Sequence, residues 1–126
     1  MKKIKLLIAE DETVVRYALA QLLGAEEDID VVAEAGDGQA AVVRARRHRP
    51  DVVLMDLNMP GMTGDQAFRE LKEVDPEAPV VFVSGYWDRQ LERELRSMGA
   101  LGFVQKPYEA ATLRDAIVQA MTSQTS

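Results

Sequence analysis

Val52-Val53-Leu54-Met55 sets four apolar residues in a row, and Asp56 follows at once. A strand with one wet face alternates apolar and polar residues. A run without alternation buries both faces, and such strands belong to parallel sheets covered by helices on either side. Comparable Val- and Ile-rich runs lie at residues 4–9 and 29–33 before it, and at 79–83 and 101–104 after it. Each has the length of a strand.

Between the runs lie segments of helical period. Residues 12–23 align Val15, Leu19, Leu22 and Leu23, and residues 38–48 align Ala41, Val42 and Ala45. Residues 64–74 align Ala67, Phe68, Leu71 and Val74. Residues 87–98 align Leu91, Leu95 and Met98, and residues 109–121 align Leu113, Ile117 and Met121. Gly24, Gly36, Pro50, Gly61, Pro76, Pro79, Gly99 and Pro107 punctuate the pattern. Five strands and five helices in strict alternation predict an α/β domain. Parallel strands need crossovers, and right-handed crossovers put helices on both faces. The expected architecture is a doubly wound five-stranded parallel sheet of order 2-1-3-4-5. One domain over residues 1–121 is expected, with 122–126 as a tail or the start of a linker.

Composition narrows the chemistry. The chain has 126 residues, 47% hydrophobic and 29% charged, enough to bury a core without staples. It has no Cys, so disulfides, thiol catalysis and Cys-based zinc sites are excluded. His48 is the single histidine, which excludes any two-histidine site. A net charge of −6 argues against direct nucleic-acid binding by this domain. Arg44, Arg46, Arg47, His48 and Arg49 crowd one helix end, where a solvated C-terminus favours cations. No apolar run approaches the ~20 residues of a membrane span. The opening apolar stretch ends at Glu10-Asp11, too soon for a signal peptide, so a cytoplasmic protein is expected.

In open α/β sheets ligands bind beyond the carboxyl ends of the strands, where strand order reverses. Glu10, Asp11 and Glu12 follow the first run, Asp56 the third, Ser84 the fourth, and Gln105-Lys106-Pro107 the fifth. The order 2-1-3-4-5 makes strands 1 and 3 neighbours at the reversal, so Glu10, Asp11 and Asp56 should surround one pocket. Crowded carboxylates repel one another, and a hard divalent cation relieves that cost; an oxygen-only donor set points to Mg²⁺ or Mn²⁺. A lysine and a hydroxyl suit phosphate oxygens. Asp56 in that setting is a candidate phosphoryl acceptor, since carboxylates act as nucleophiles in acyl-phosphate formation. Singly, Asp11 or Glu12 reads as a helix cap, Ser84 as a turn residue and Lys106 as a solvated lysine. Together they are improbable as accidents.

These residues carry a resemblance. Residues 3–121 resemble the receiver domain of two-component response regulators. The match rests on Leu7-Ile8-Ala9-Glu10-Asp11-Glu12, Gly36-Asp37-Gly38, the stretch 50–64 around Met55-Asp56-Leu57-Asn58-Met59-Pro60-Gly61, Val83-Ser84-Gly85-Tyr86 and Gly102-Phe103-Val104-Gln105-Lys106-Pro107. The resemblance implies a flavodoxin-like fold and a phosphorylation-dependent signalling switch. It implies Asp56 as phosphoacceptor, Glu10 and Asp11 as the metal-holding acids, and Asn58 as a backbone-carbonyl ligand. Ser84 would be the switch hydroxyl, Lys106 the phosphate-contacting lysine and Phe103 the switch aromatic. The partner would be a sensor histidine kinase or phosphotransfer protein. No enzyme activity is expected beyond the domain's own phosphorylation and dephosphorylation. The responding surface would be helix 4, strand 5 and helix 5, which also admits a homodimer. Its output would be transcriptional regulation through an effector domain, or protein–protein signalling as a stand-alone or hybrid-kinase receiver.

The sequence departs from the family pattern in four places. Glu10 stands where Asp is commoner, Phe103 where Tyr is commoner, and Ser84-Gly85 where Thr-Ala is commoner. Gln105 stands where an apolar residue is common. Without a hydroxyl, Phe103 implies a switch made by packing, or a weak one. Of seven aromatics, five lie between 82 and 108, and Tyr86, Trp87 and Tyr108 are read as partner surface. A haloacid-dehalogenase-like phosphatase would want a second Asp where Asn58 stands. A flavodoxin-like cofactor domain would place a phosphate loop where Glu10-Asp11-Glu12 would repel it.

Overall fold

A computed structural model describes residues 2–86 and 88–124; Trp87, read as partner surface, lies outside the described residues. The elements run β1 Ile4–Ala9, α1 Thr13–Gly24, β2 Ile29–Ala35, α2 Gly38–His48, β3 Val52–Asp56, α3 Gly64–Val74, β4 Val80–Ser84, α4 Arg89–Ser97, β5 Gly102–Gln105 and α5 Ala110–Gln124. The sheet is parallel, in the order β2-β1-β3-β4-β5. This is the expected doubly wound fold.

Alternation inside the apolar runs sorts the core into two layers, because successive strand side chains point to opposite faces. Leu7, Ala9, Val53, Met55, Val80 and Phe82 join Ala41, Val42, Phe68, Leu71 and Leu95 of α2, α3 and α4. Leu6, Ile8, Val52, Leu54, Val81 and Val83 join Leu19, Leu23, Leu113, Ile117 and Ala120 of α1 and α5. Phe68 meets Phe82 edge to face at 5.3 Å between centroids, an arrangement worth ~0.5–1.5 kcal/mol beyond burial. Gly64 starts α3 hard against β3: a Cβ there would run into the Asp56 carbonyl oxygen. Thr63 closes that start, its N–H donating to Gln66 Oε1 at 2.9 Å and its hydroxyl to Asp65 at 2.7 Å.

Three expectations shift. Strands β3, β4 and β5 each end one residue later than their apolar runs, so Asp56, Ser84 and Gln105 are strand residues rather than loop residues. Ladder pairing continues past the last hydrophobe, since backbone groups need partners whatever the side chain. Helix α5 continues to Gln124, beyond residue 121, and the hydroxyls of Thr122 and Ser123 donate back to the Val118 and Gln119 carbonyls. Leu22 and Val74, aligned with core positions, are more than half exposed. Both sit in a last helical turn, where Leu19 with Leu23, and Phe68 with Leu71, already fill the buried stripe.

Candidate functional site

Sheet register assembles the site. Ala9 pairs with Met55, Asp56 with Val83, and Ser84 with Gln105, so the carboxyl ends of β1, β3, β4 and β5 form one rim. Backbone bonds carry the ladder past the strands: Glu10 N–H donates to Ala35, Leu57 N–H to Val83 and Lys106 N–H to Ser84. Glu10, Asp56 and Ser84 are the buried polar or charged residues among those described, and all three stand on this rim. Burying polar groups costs free energy unless they are partnered, so their concentration marks a site rather than a packing accident.

The acids converge as expected. One carboxylate oxygen each from Glu10, Asp11 and Asp56 lies within 4.8 Å of the others. Lys106 Nζ, on the loop after β5, donates to Asp56 Oδ2 at 2.8 Å and lies 3.6 Å from Glu10 Oε1. The other Asp56 oxygen accepts the Asn58 N–H at 2.9 Å. The Lys106–Pro107 peptide is cis. Glu10 Oε2 accepts the Glu12 N–H at 3.0 Å, and thereby serves the first turn of α1, which Glu12 leaves without a side-chain cap.

Burial pushes the Glu10 carboxyl up to about 7; the Glu12 N–H opposes this, while Asp11 and Asp56 add to it. Burial alone would lower the Lys106 ammonium, but the hydrogen bond and charge of Asp56, with Glu10, outweigh it and hold it above its ordinary value. Burial is the main cause of that rise, and the crowding of Asp11 and Asp56 adds to it, so the cluster is short of positive charge. One lysine does not balance three carboxylates, and an oxygen-coordinated divalent cation would. The donor set therefore fits Mg²⁺ or Mn²⁺.

The β4 side of the rim is arranged differently. The Ser84 hydroxyl donates to the Tyr86 carbonyl at 2.7 Å and accepts the Tyr86 N–H at 3.1 Å, so it turns into its own loop. The Phe103 ring leans on Phe82 at 5.4 Å and carries the Arg96 guanidinium 4.9 Å from its centroid. Arg96 is in turn held by Glu92 at 2.7 Å. A narrow cleft of about 20 Å³ separates the two residues, lined by Leu57, Ser84, Tyr86, Leu91 and Phe103.

The two described aromatics read as partner surface differ in exposure. Tyr86 is 75% exposed. Tyr108 is half-buried. It packs against the layer under α1 and α5 and borders the same small hollow as Glu10 and Asp56. Burial raises its hydroxyl pKa, Lys106 lowers it, and Glu10 and Asp56 raise it further. The turn after Lys106 folds Tyr108 back over the rim, which local sequence does not reveal.

Arg16 was not legible as a site residue. From α1 it donates to the Glu10 carbonyl at 2.7 Å and pairs with Glu34 of β2 at 3.5 Å, tying the acidic loop to the neighbouring strand. An arginine one helical turn after Glu12 was the available signal.

The sequence model described as the response regulator receiver domain matches residues 6–118. The chain is 40% identical over 120 residues to the transcriptional regulatory protein PdtaR of Mycobacterium tuberculosis, across 94% of this chain and 57% of that protein. It thus spans little more than half of that relative's length. It is 33% identical over 113 residues to the chemotaxis protein CheY of Bacillus subtilis, across 90% of this chain and 93% of that one. Its backbone resembles a chain of the CheX–CheY–BeF3–Mg²⁺ complex of Borrelia burgdorferi, with a TM-score of 0.86 and 27% identity over 93% of this chain and 88% of that chain. Family match, identity and fold agree: this chain belongs to the response regulator receiver domain family.

Proposed function

We propose that the domain is a phosphorylation-dependent switch in which Asp56 accepts a phosphoryl group from a phosphohistidine of a sensor histidine kinase or phosphotransfer protein. The observation that carries this reading is Lys106 Nζ at 2.8 Å from an Asp56 carboxylate that also borders Glu10 and Asp11. In transfer, the P–N bond to the donor imidazole breaks and a P–O bond to an Asp56 oxygen forms. The electron pair returns to the imidazole nitrogen, which takes up a proton. In self-hydrolysis, water attacks phosphorus, the P–O bond breaks and inorganic phosphate leaves.

Glu10, Asp11, Asp56 and the Asn58 carbonyl would hold Mg²⁺ or Mn²⁺, which supplies charge neutralisation for the phosphoryl oxygens. Lys106 adds a positive charge at Asp56 Oδ2. The Asn58 N–H holds the carboxylate in orientation. The BeF3 and Mg²⁺ of the related CheY complex support the same chemistry here.

The signal leaves through β4. A phosphoryl dianion on Asp56 would draw the Ser84 hydroxyl away from Tyr86. That rearranges the cleft beside Phe103 and lets its ring leave Arg96, changing the α4–β5–α5 surface. The exposed side chain of Tyr86 would report the change to a partner. The same surface would serve homodimerisation, an effector domain in a longer polypeptide, or a separate partner protein. Among the described residues no helix is long and apolar enough to cross a membrane.

The test is labelling with acetyl phosphate and Mg²⁺, followed by intact mass. The chain gains one phosphoryl group, and Asp56→Asn gains none. Undiminished labelling of that variant removes Asp56 from the role.

A further inference from the structure

The opposite pole of the sheet carries a second cavity that the phosphorylation chemistry does not use. It measures about 490 Å³, within the ~300–1,000 Å³ of small-molecule sites. Its floor is apolar: Pro50, Val53, Leu71, Ala78 and Pro79 close it at the amino ends of β3 and β4. Val74 stands more than half exposed at its edge, which leaves an apolar side chain without a protein partner.

The polar groups are arranged by element. The end of α2 supplies Arg46 and Arg49, and the end of α3 supplies Asp75. Among the described residues neither arginine has an ion pair, nor do Arg89 and Arg93, whereas Arg16, Arg69, Arg96 and Arg114 have at least one each. Arg44, Arg47 and His48 crowd the same helix end and are also unpaired there. Two helix C-termini bring about half a negative charge each, which the two lining arginines exceed. Arg49 holds a left-handed backbone, with φ 48° and ψ 60°, at a position that glycine or asparagine usually takes. One Asp75 oxygen accepts the Glu77 N–H at 3.1 Å, and the other has no hydrogen-bond partner among the described residues.

We propose that this cavity binds a ring-sized organic anion: an apolar body on the Val53–Leu71–Val74 floor, an anionic group at Arg46 and Arg49, and an N–H or O–H donor toward Asp75. The end of α2 brings positive charge and the end of α3 negative charge to one apolar floor, so the ligand that complements both carries an anionic group and a hydrogen-bond donor. The site is independent of the phosphoacceptor reading, because it shares no residue with the carboxyl rim.

The test uses 8-anilinonaphthalene-1-sulfonate, which combines aromatic rings, one sulfonate and one N–H. Its uncharged counterpart N-phenyl-1-naphthylamine keeps the rings and the N–H. In two-dimensional amide spectra of the full chain, the sulfonate probe should shift Ala45, Val53, Leu71, Val74 and Asp75 in a saturable way. The Arg46→Glu, Arg49→Asn double variant should weaken that binding at least ~10-fold, the loss of a charge-assisted contact. Asparagine tolerates the left-handed backbone, and retained labelling by acetyl phosphate shows that the variant is folded. The uncharged probe should bind wild type and variant alike, and more weakly than the sulfonate binds wild type. Shifts centred on the α4–β5 face, or equal sulfonate affinity in wild type and variant, would overturn the proposal.

Discussion

The two halves of the carboxyl rim are built on opposite terms. On the β1 and β3 side the buried charged groups are held: Glu10 by Glu12 and Lys106, Asp56 by Asn58 and Lys106. Arg16 adds a backbone tie. On the β4 side the Ser84 hydroxyl bonds within its own loop, and the ring of Phe103 on β5 carries an exposed arginine. The first half is preorganised for charge, which suits a chemical step. The second can exchange partners at little cost, which suits a switch.

The largest expected effect breaks the fixed half. Lys106→Ala should slow labelling by acetyl phosphate about 10²–10³-fold, the usual cost of removing one preorganised charge. A loss below a few-fold would place Lys106 outside the chemistry. The variant also leaves Glu10 and Asp56 without their cation, so urea unfolding should record a lower midpoint.

Glu10 gives the next test. Its carboxyl stands near 7 when folded, against 4.5 ordinarily. Between those values the folded chain binds more protons than the unfolded chain. Stability in metal-free buffer therefore falls as pH rises through that window and levels off above it. Glu10→Gln should flatten this part of the profile, read as urea midpoints across pH 4.5–8. Metal binding requires the deprotonated acid, so Mg²⁺ affinity by calorimetry should weaken as pH drops below 7. Parallel midpoint profiles for wild type and variant would contradict the buried, crowded setting of Glu10.

Ser84→Ala separates the halves. Labelling should change only a few-fold, because the hydroxyl faces Tyr86 rather than Asp56. The amide shifts that beryllofluoride and Mg²⁺ induce in α4 and β5 should largely vanish. Full retention of those shifts would move the switch elsewhere.

The smallest effect concerns Arg96. Its stacking on Phe103 is worth roughly 0.5–1 kcal/mol at an exposed position. Arg96→Ala should free the ring, so beryllofluoride shifts in β5 become larger or appear at lower Mg²⁺. An unchanged titration would mean that Arg96 does not restrain the ring.

Much of this was legible along the chain. The run from Val52 to Met55 identified a strand buried on both faces, and its neighbours identified the parallel sheet. Glu10, Asp56 and Ser84 were legible because each directly follows an apolar run, with Asp11 and Lys106 one residue further on; Asn58 and Phe103 rested on the family resemblance. Arg16 stayed hidden because its partners, the Glu10 carbonyl and Glu34, belong to other elements and leave no local pattern. The partial burial of Tyr108 was not legible because it depends on how the chain turns after Lys106. The amino-pole cavity was invisible for the same reason: Arg46, Val53 and Asp75 lie on three elements. Arginines at a helix end also read as ordinary dipole partners.

By itself the sequence determined the elements, their alternation and the chemical types waiting at the strand ends. Hydrophobic period is a local property that side-chain geometry translates directly into strand or helix. Only the tertiary structure decided that Lys106 reaches across fifty positions to Asp56, that Glu10 is pushed toward neutrality, and that Ser84 faces its own loop. Those are distances and burials between segments far apart in the chain, set by sheet order and register, and no local period encodes them.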